Sequence, residues 1–419
     1  MRGLLILILS ALMVGCSSNH VSSPLLSEST SPPAMRTLVT DRVGPVVQDL
    51  LHSTSHEAHH TITASHQTVD TRPAKYKQQM VMKTLKNPWE GMRNLEHHGL
   101  LAVELASARP LKLPALLDRL ASGMNRPPTP VTPLPLPTGS HRRDTMGFIL
   151  GTFHQAALHR ELALADLSDQ ERAFLFEHAR ALAESYTPQI SVLSDVTRPQ
   201  VLANTKFAEL LKERVKSEHF LAAGQVLAQL TNTQWLEKLA TAFAEPVSPT
   251  EIPPGITGDV RLIQDTSDGL IVIGGPGPNS YELEGPVALI LDLGGDDLYR
   301  GIIGASYDVR YGNAVVIDLA GNDRYTGSPL GVATGRLGVG LLFDQSGDDR
   351  YELSLGSGGV GLGGLGILVD IQGNDQYYGN RLTQGAAIGG WGILIDTAGN
   401  DHYKSHGFAI GFGGPLGLG

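Results

Sequence analysis

A ten-residue phrase that recurs without slippage constrains this chain more than any other feature. "DLGGDDLYRG" opens at Asp292, "DLAGNDRYTG" at Asp318, "DQSGDDRYEL" at Asp344, "DIQGNDQYYG" at Asp370 and "DTAGNDHYKS" at Asp396, each 26 residues after the last. A fixed period of this size, unbroken by insertion or deletion, marks a solenoid whose units bury their apolar faces only against their neighbours. Three apolar residues precede each Asp ("LIL", "VVI", "LLF", "ILV", "ILI"), a short strand rich in β-branched side chains. Beyond the Asp come two variable positions and an invariant Gly (Gly295, Gly321, Gly347, Gly373, Gly399). Asn or Asp follows, then a second invariant Asp (Asp297, Asp323, Asp349, Asp375, Asp401). After one free position stands an invariant Tyr (Tyr299, Tyr325, Tyr351, Tyr377, Tyr403). Gly beside Asn or Asp is turn chemistry. Each unit therefore reads as strand, sharp corner, and a second strand opening at the Tyr.

Twenty-six residues are too few for a propeller blade, and the leucine-rich signature is absent. The spacing resembles one coil of a right-handed parallel β-helix, a resemblance that covers residues 268–419. The expected fold is a helical N-terminal domain followed by a parallel β-solenoid with 26-residue rungs from about residue 259. "LIVIGGPGPNSYEL" (Leu270 to Leu283) has Tyr281 only 18 residues before Tyr299 and reads as an atypical N-terminal cap. Strands apolar through three successive positions predict a covered outer face. The helical half or a partner protein would cover it. The next Asp falls due at residue 422, so the period predicts further rungs or a partner at that end.

Rungs stacked about 4.8 Å apart turn each column into a ladder. Two bare carboxylates at that spacing repel by about 0.9 kcal/mol in water and about 3.5 kcal/mol at an effective dielectric of 20. Asp292, Asp297, Asp318, Asp323, Asp344, Asp349, Asp370, Asp375, Asp396 and Asp401 therefore need an offset. Backbone amides capped at each corner supply one answer. A row of hard cations, for which carboxylates and carbonyls are natural ligands, supplies the other. Phrases such as "AGNDRY" resemble single calcium-binding units of RTX proteins, which repeat every nine residues as "GGxGxD". That resemblance implies Ca²⁺ at the corners, with Asp297, Asp323, Asp349, Asp375 and Asp401 as the matching positions.

Charge divides the chain. From Asp259 onward 19 acidic residues face 8 basic ones, against 23 and 24 before it. An acidic repeat half argues against nucleic acid as its partner.

The N-terminus reads "MRGLLILILSALMVGC", a basic Arg2, an apolar run and the chain's single cysteine. The run is a secretory signal, too short to span a membrane. Residues 1–16 resemble the bacterial lipoprotein signal, with Met13 in place of the usual Leu. That resemblance implies a lipidated Cys16 at the mature N-terminus and, with Ser17 following, sorting to the outer membrane of a Gram-negative bacterium. Residues 16–36, rich in Ser and Pro, read as a tether. Helical patterning covers 37–124 and 146–250, separated by a Pro-rich linker at 125–145. Ser168 and Glu171 form a capping box ahead of the stripe Leu175, Ala179, Leu182, Ala183 and Tyr186.

"LHSTSHEAHHTITASH" places His52, His56, His59 and His66 on one helical face. His56, Glu57 and His60 also fit H-E-x-x-H, the zincin pattern. Surrounding Ser and Thr make a poor helix interior, which leaves three readings open: a metalloprotease helix, a non-catalytic metal face and a plain polar flank.

Residues identical in every rung are explained by stacking, whereas a catalytic site need occur only once. The pattern breaks at "ASYDVRYGN", where Tyr307, Asp308, Arg310 and Tyr311 gather, with Arg336 one rung on from Arg310. Aromatic and Arg groups suit a sugar or an anionic polymer, and bulky residues also suit the cover of a solenoid's end. The expected function is a membrane-anchored exported lipoprotein whose acidic solenoid binds or supports at the cell envelope, with a polysaccharide or protein partner. A carbohydrate-active hydrolase or lyase using Tyr307, Asp308 and Arg310 is the alternative.

Overall fold

A computed structural model describes the chain from residue 111 to 417, apart from residues 112, 124–128, 187–197, 247–248, 250, 284 and 415. Cys16, the tether and the His52–His66 cluster lie outside the described residues. Among the described residues six α-helices come first: α1 (Leu113–Gly123), α2 (Arg142–Leu164), α3 (Asp169–Ser185), α4 (Arg198–Glu213), α5 (Glu218–Leu227) and α6 (Thr233–Ala242). Among the described residues no helix is long and apolar enough to cross a membrane.

The capping box forms as expected. Ser168 Oγ accepts from the Glu171 amide (3.3 Å) while Glu171 Oε2 accepts from the Ser168 amide (2.8 Å), which starts α3. Leu175, Phe176, Ala179 and Ala183 form its buried stripe. Helix α5 is buried from Phe220 through Leu227 and packs against α1 and α2 at the centre of the helical layer. The Pro-rich stretch is laid along that layer. The Leu134 amide donates to Gln229, and Lys238 donates to the Pro137 carbonyl.

The solenoid that follows is parallel, with strands recurring at the 26-residue period. One stack holds β3 (Val287–Asp292), β5 (Ala314–Asp318), β8 (Val339–Asp344), β11 (Leu365–Asp370) and β14 (Trp391–Asp396). A second holds β4 (Leu298–Ile303), β6 (Arg324–Val332), β9 (Arg350–Leu353), β12 (Gln376–Arg381) and β15 (His402–Gly407). The third is shorter: β7 (Thr334–Arg336), β10 (Val360–Leu362) and β13 (Ala387–Ile388). Register matches the sequence columns, with Asp292 beside Asp318 and Tyr299 beside Tyr325, and so on up the stack.

Strand β2 (Gly269–Leu283) pairs with both β3 and β4, so it serves as a first partial rung. Its other edge is closed by β1 (Ile256–Thr266), which runs antiparallel to it. The cap is thus larger than the unit from Leu270 to Leu283, because β1 precedes it and does not carry the repeat's spacing of Gly, Asp and Tyr.

Side-chain alternation sends the strands' residues into two cores. Val272, Ile290, Val316, Leu342 and Leu368 point inward with the tyrosines. Ile273, Leu291, Ile317, Phe343, Val369 and Ile395 join Leu117, Phe153, Leu211 and Phe220 of the helices. The helical half therefore covers the outer face of the first stack, which explains why those strands are apolar on both sides. Contact is close: a Cβ on Gly224 of α5 would overlap the Leu365 side chain. At the corners the constraint is backbone against backbone. Gly321 has φ +149° and a Cβ there would overlap the Gly295 carbonyl of the rung before.

Candidate metal centre

The first Asp of each rung ends a strand, so its side chain is fixed at the solenoid's interior corner. Asp292, Asp318, Asp344 and Asp370 are all fully buried. One oxygen serves the corner locally, accepting the amide two residues on: Gly294 (2.9 Å), Ala320 (2.9 Å) and Ser346 (3.1 Å). The other oxygen accepts a phenol from the preceding rung. Tyr281 donates to Asp292, Tyr299 to Asp318 (2.5 Å), Tyr325 to Asp344 (2.6 Å), Tyr351 to Asp370 (2.7 Å) and Tyr377 to Asp396 (3.0 Å).

Those tyrosines form a continuous stack. Ring centroids from Tyr281 to Tyr403 are 4.6–5.0 Å apart, and planes align to within 5° from Tyr325 onward. Burial with stacked, hydrogen-bonded neighbours pushes the phenols of Tyr299, Tyr325 and Tyr351 well above their ordinary range, desolvation first and adjacent carboxylates next. They remain hydrogen-bond donors.

The second Asp works between rungs. Asp323 accepts the Asp297 amide (2.6 Å), Asp349 that of Asp323 (2.6 Å), Asp375 that of Asp349 (2.7 Å) and Asp401 that of Asp375 (3.1 Å). An exposed third column does the same: Asn322 donates its amide to Asp296, Asp348 to Asn322 and Asn374 to Asp348. The corner amides are therefore satisfied across rungs for the second Asp, and within one corner for the first.

This hydrogen bonding leaves carboxylate oxygens over: Oδ2 of Asp297, Asp323, Asp349 and Asp375, and Oδ1 of Asp370, are buried with no hydrogen-bond partner. Among the described residues carboxylate oxygens converge into four groups, each within 4.8 Å: Asp292/Asp297/Asp318, Asp318/Asp323/Asp344, Asp344/Asp349/Asp370 and Asp375/Asp396/Asp401. The first three groups are fully buried, and the last includes the half-buried Asp396 and Asp401.

Such an arrangement cannot hold every group as a bare anion. Burial, chiefly, and then the neighbouring Asp292 charge push Asp297 up to about 8. Burial leads again for Asp349, pushed up to about 8, and Asp370, to about 9. For Asp292 the phenol of Tyr281 and the side chain of Asn279 pull against burial, leaving it at about 6. Asp318 and Asp344 are raised well above the usual range, burial first and the neighbouring Asp charges next. The column needs positive charge, as protons shared between carboxyls or as cations. Three converging carboxylates of oxygen-only chemistry fit a hard divalent ion.

The pattern-breaking loop is engaged within the chain. Asp308 Oδ1 accepts the amides of Arg310 (2.7 Å) and Tyr311 (2.8 Å), and the Arg310 guanidinium lies over the Tyr311 ring. Arg160 of α2, itself buried, donates to the carbonyls of Leu337 (2.8 Å), Arg310 (3.4 Å) and Val309. Arg336 donates to the carbonyls of Ser306 (3.1 Å) and Tyr307 (3.4 Å), with its guanidinium 3.9 Å from the Phe176 ring of α3. Tyr307, Asp308, Arg310, Tyr311 and Arg336 are thus brought together where the helical layer meets the solenoid.

In the sequence the Tyr column marks only the start of a strand; its bond to the next rung's Asp is visible in the structure. The signal was present: a stack needs only a ring, whereas Tyr in every rung requires a partner for each hydroxyl. The Arg160 clamp had no comparable signal. No known family model, curated protein or solved structure matches this chain. Fold and site define its class: a parallel β-solenoid repeat protein with converging groups of Asp carboxylates in its interior.

Proposed function

We propose that this chain is an exported lipoprotein, held by a lipidated Cys16 on the outer membrane, whose solenoid is a calcium-stabilised scaffold with a binding or structural role at the cell envelope. One observation carries this reading. The residues repeated through the rungs join their neighbours: Gly by backbone approach, Tyr by stacking and its phenol, and each Asp column through at least one carboxylate oxygen held by an amide or a phenol. The unique loop at Tyr307 to Tyr311 likewise spends its carbonyls and its Asp308 carboxylate on internal contacts. Stiffness is what such rung-to-rung joining produces.

Fractionation tests the anchor. Wild-type protein should sediment with membranes and incorporate labelled palmitate, and Cys16→Ser should abolish both; a wild-type chain recovered soluble and unlabelled would overturn it. A triple variant, Tyr307→Phe with Asp308→Asn and Arg310→Ala, tests the scaffold role. Loss of turnover on an envelope polysaccharide, with folding unchanged, would replace the scaffold with an enzyme.

A further inference from the structure

We propose that the outward face of the second stack docks on a phosphate-bearing anionic lipid surface, so that the solenoid lies along the membrane that tethers it. This rests on the anchored reading above and adds the face that meets the membrane and the chemistry of the contact.

The repeat half is acidic in sequence, but most of its acid is not where a partner would meet it. Ten of its 19 acidic residues are the aspartates of the two columns, which leaves nine against 8 basic residues. Four of those basic residues are engaged elsewhere. Arg261 donates to Asp259 (2.6 Å) and to the Ala244 carbonyl (3.0 Å), and Arg381 to the Tyr186 carbonyl (2.9 Å). Arg310 lies over Tyr311, and Arg336 over Phe176. The other four, Arg300, Arg324, Arg350 and Lys404, all stand in the second stack, directly before or after the tyrosine of their rung. Alternation turns them outward where the tyrosines point inward, and all four are exposed. One column of this face, Arg324, Arg350, Gln376 and His402, is open to solvent throughout.

Opposing charge is small and local. Among the described residues the acids of the face are Glu282, 3.8 Å from Arg300, and Glu352, held by both Arg324 and Arg350 at 2.9 Å. Asp296 and Asp348 border it at the neighbouring corner, where they accept the amides of Asn322 and Asn374.

The face is also flat and fixed. Successive tyrosine planes from Tyr325 to Tyr403 turn by only 5°, 1° and 3°, so the rungs carrying Arg324 to Lys404 follow one another without rotation. Arg350 donates to Gln376 (3.1 Å) as well as to Glu352, and its guanidinium lies 4.5 Å from the Tyr378 ring. Guanidinium groups already held in place lose little freedom on binding. A flexible anionic strand could follow a twisted face equally well, whereas a flat one matches a planar array of headgroups. Each Lys or Arg brought against an anionic bilayer strengthens partitioning roughly fivefold.

The test uses the full chain carrying Cys16→Ser, which removes the acyl anchor, and sedimentation with vesicles of phosphatidylcholine alone or mixed with phosphatidylglycerol. Partitioning should favour the mixed vesicles and weaken with added salt. Arg300→Gln with Lys404→Gln should lower it about 25-fold, at about fivefold per charge, with thermal melts unchanged. Binding to the neutral vesicles reads the apolar N-terminus and should not respond to that pair. Arg143→Gln with Arg198→Gln removes the same charge from exposed positions of α2 and α4 and should leave partitioning within about twofold, below the effect of one charge at the surface. Equal partitioning to both vesicles, or an equal loss from the two pairs, would overturn the docking face. Retention on a soluble anionic polysaccharide without binding to mixed vesicles would overturn it in favour of a polymer strand. The anchor is absent from every arm, so failure here leaves lipidation at Cys16 to its own fractionation test.

Discussion

Tyr325→Phe removes a single oxygen from the interior column and leaves the rest of the rung in place. The ring it keeps sits 4.7 Å from Tyr299 and 4.8 Å from Tyr351, so stacking survives. What goes is the phenol that donates to Asp344 at 2.6 Å, at a fully buried position where no water can replace it. Leaving a buried acceptor without its donor costs about 1–3 kcal/mol. At about 2–4 °C per kcal/mol, the expected loss is about 2–12 °C in thermal midpoint. Tyr403→Phe is the control. Its phenol shares Asp396 with Tyr377, and the residue is 38% exposed, so its removal should change stability by less than about 0.5 kcal/mol. Circular dichroism melts of the two variants in one buffer give the comparison. Equal shifts, or a Tyr325→Phe midpoint within a degree of wild type, would refute the claim that phenols hold the buried carboxylates in place.

Three further outcomes are expected. Gly321→Ala places a methyl group against the Gly295 carbonyl, and overpacking of this kind costs about 1–3 kcal/mol; urea titration reads it, and a neutral result would show that the rungs can separate freely at the corner. Arg160→Leu leaves the carbonyls of Leu337, Val309 and Arg310 without their buried donor, at about 1–3 kcal/mol. Faster amide exchange across residues 305–313 would accompany it, and unchanged protection there would deny the clamp. His159 and His219 meet at 3.3 Å between α2 and α5, and burial first, then like charge from His219 for His159, lowers both. A lowered folded value makes the unfolded chain the better proton acceptor. Stability is therefore full above about pH 6.5 and falls as pH drops below it. His159→Gln should flatten that fall in a pH series of melts, and an unaltered slope would assign the fall to other groups.

The period made the solenoid legible before any coordinates, because an unbroken 26-residue register leaves one way to stack the columns. The Asp and Gly corners were legible for the same reason, as was the need for a cover over strands such as "LLF". What the columns hid was the offset between them. Tyr325 and Asp344 lie 19 residues apart, and only the rise from one rung to the next reveals that they meet. Strand β1 and Arg160 were hidden differently. Each acts once, through backbone pairing or backbone carbonyls, and such contacts leave no mark in side-chain pattern. The loop at Tyr307 to Tyr311 was visible as a break, but aromatic, acidic and basic residues look alike whether they await a ligand or face a neighbouring helix.

The rung-to-rung offset of the phenol bond carries a consequence for how such a chain can change. Each unit offers a hydroxyl forward and a carboxylate backward, so any unit fits between any two others. Duplicating or deleting 26 residues conserves every such pairing, while inserting one residue severs all those spanning the cut. Length in this architecture is counted in whole coils, each adding about 4.8 Å, so the molecule behaves as a ruler whose smallest heritable graduation is one repeat.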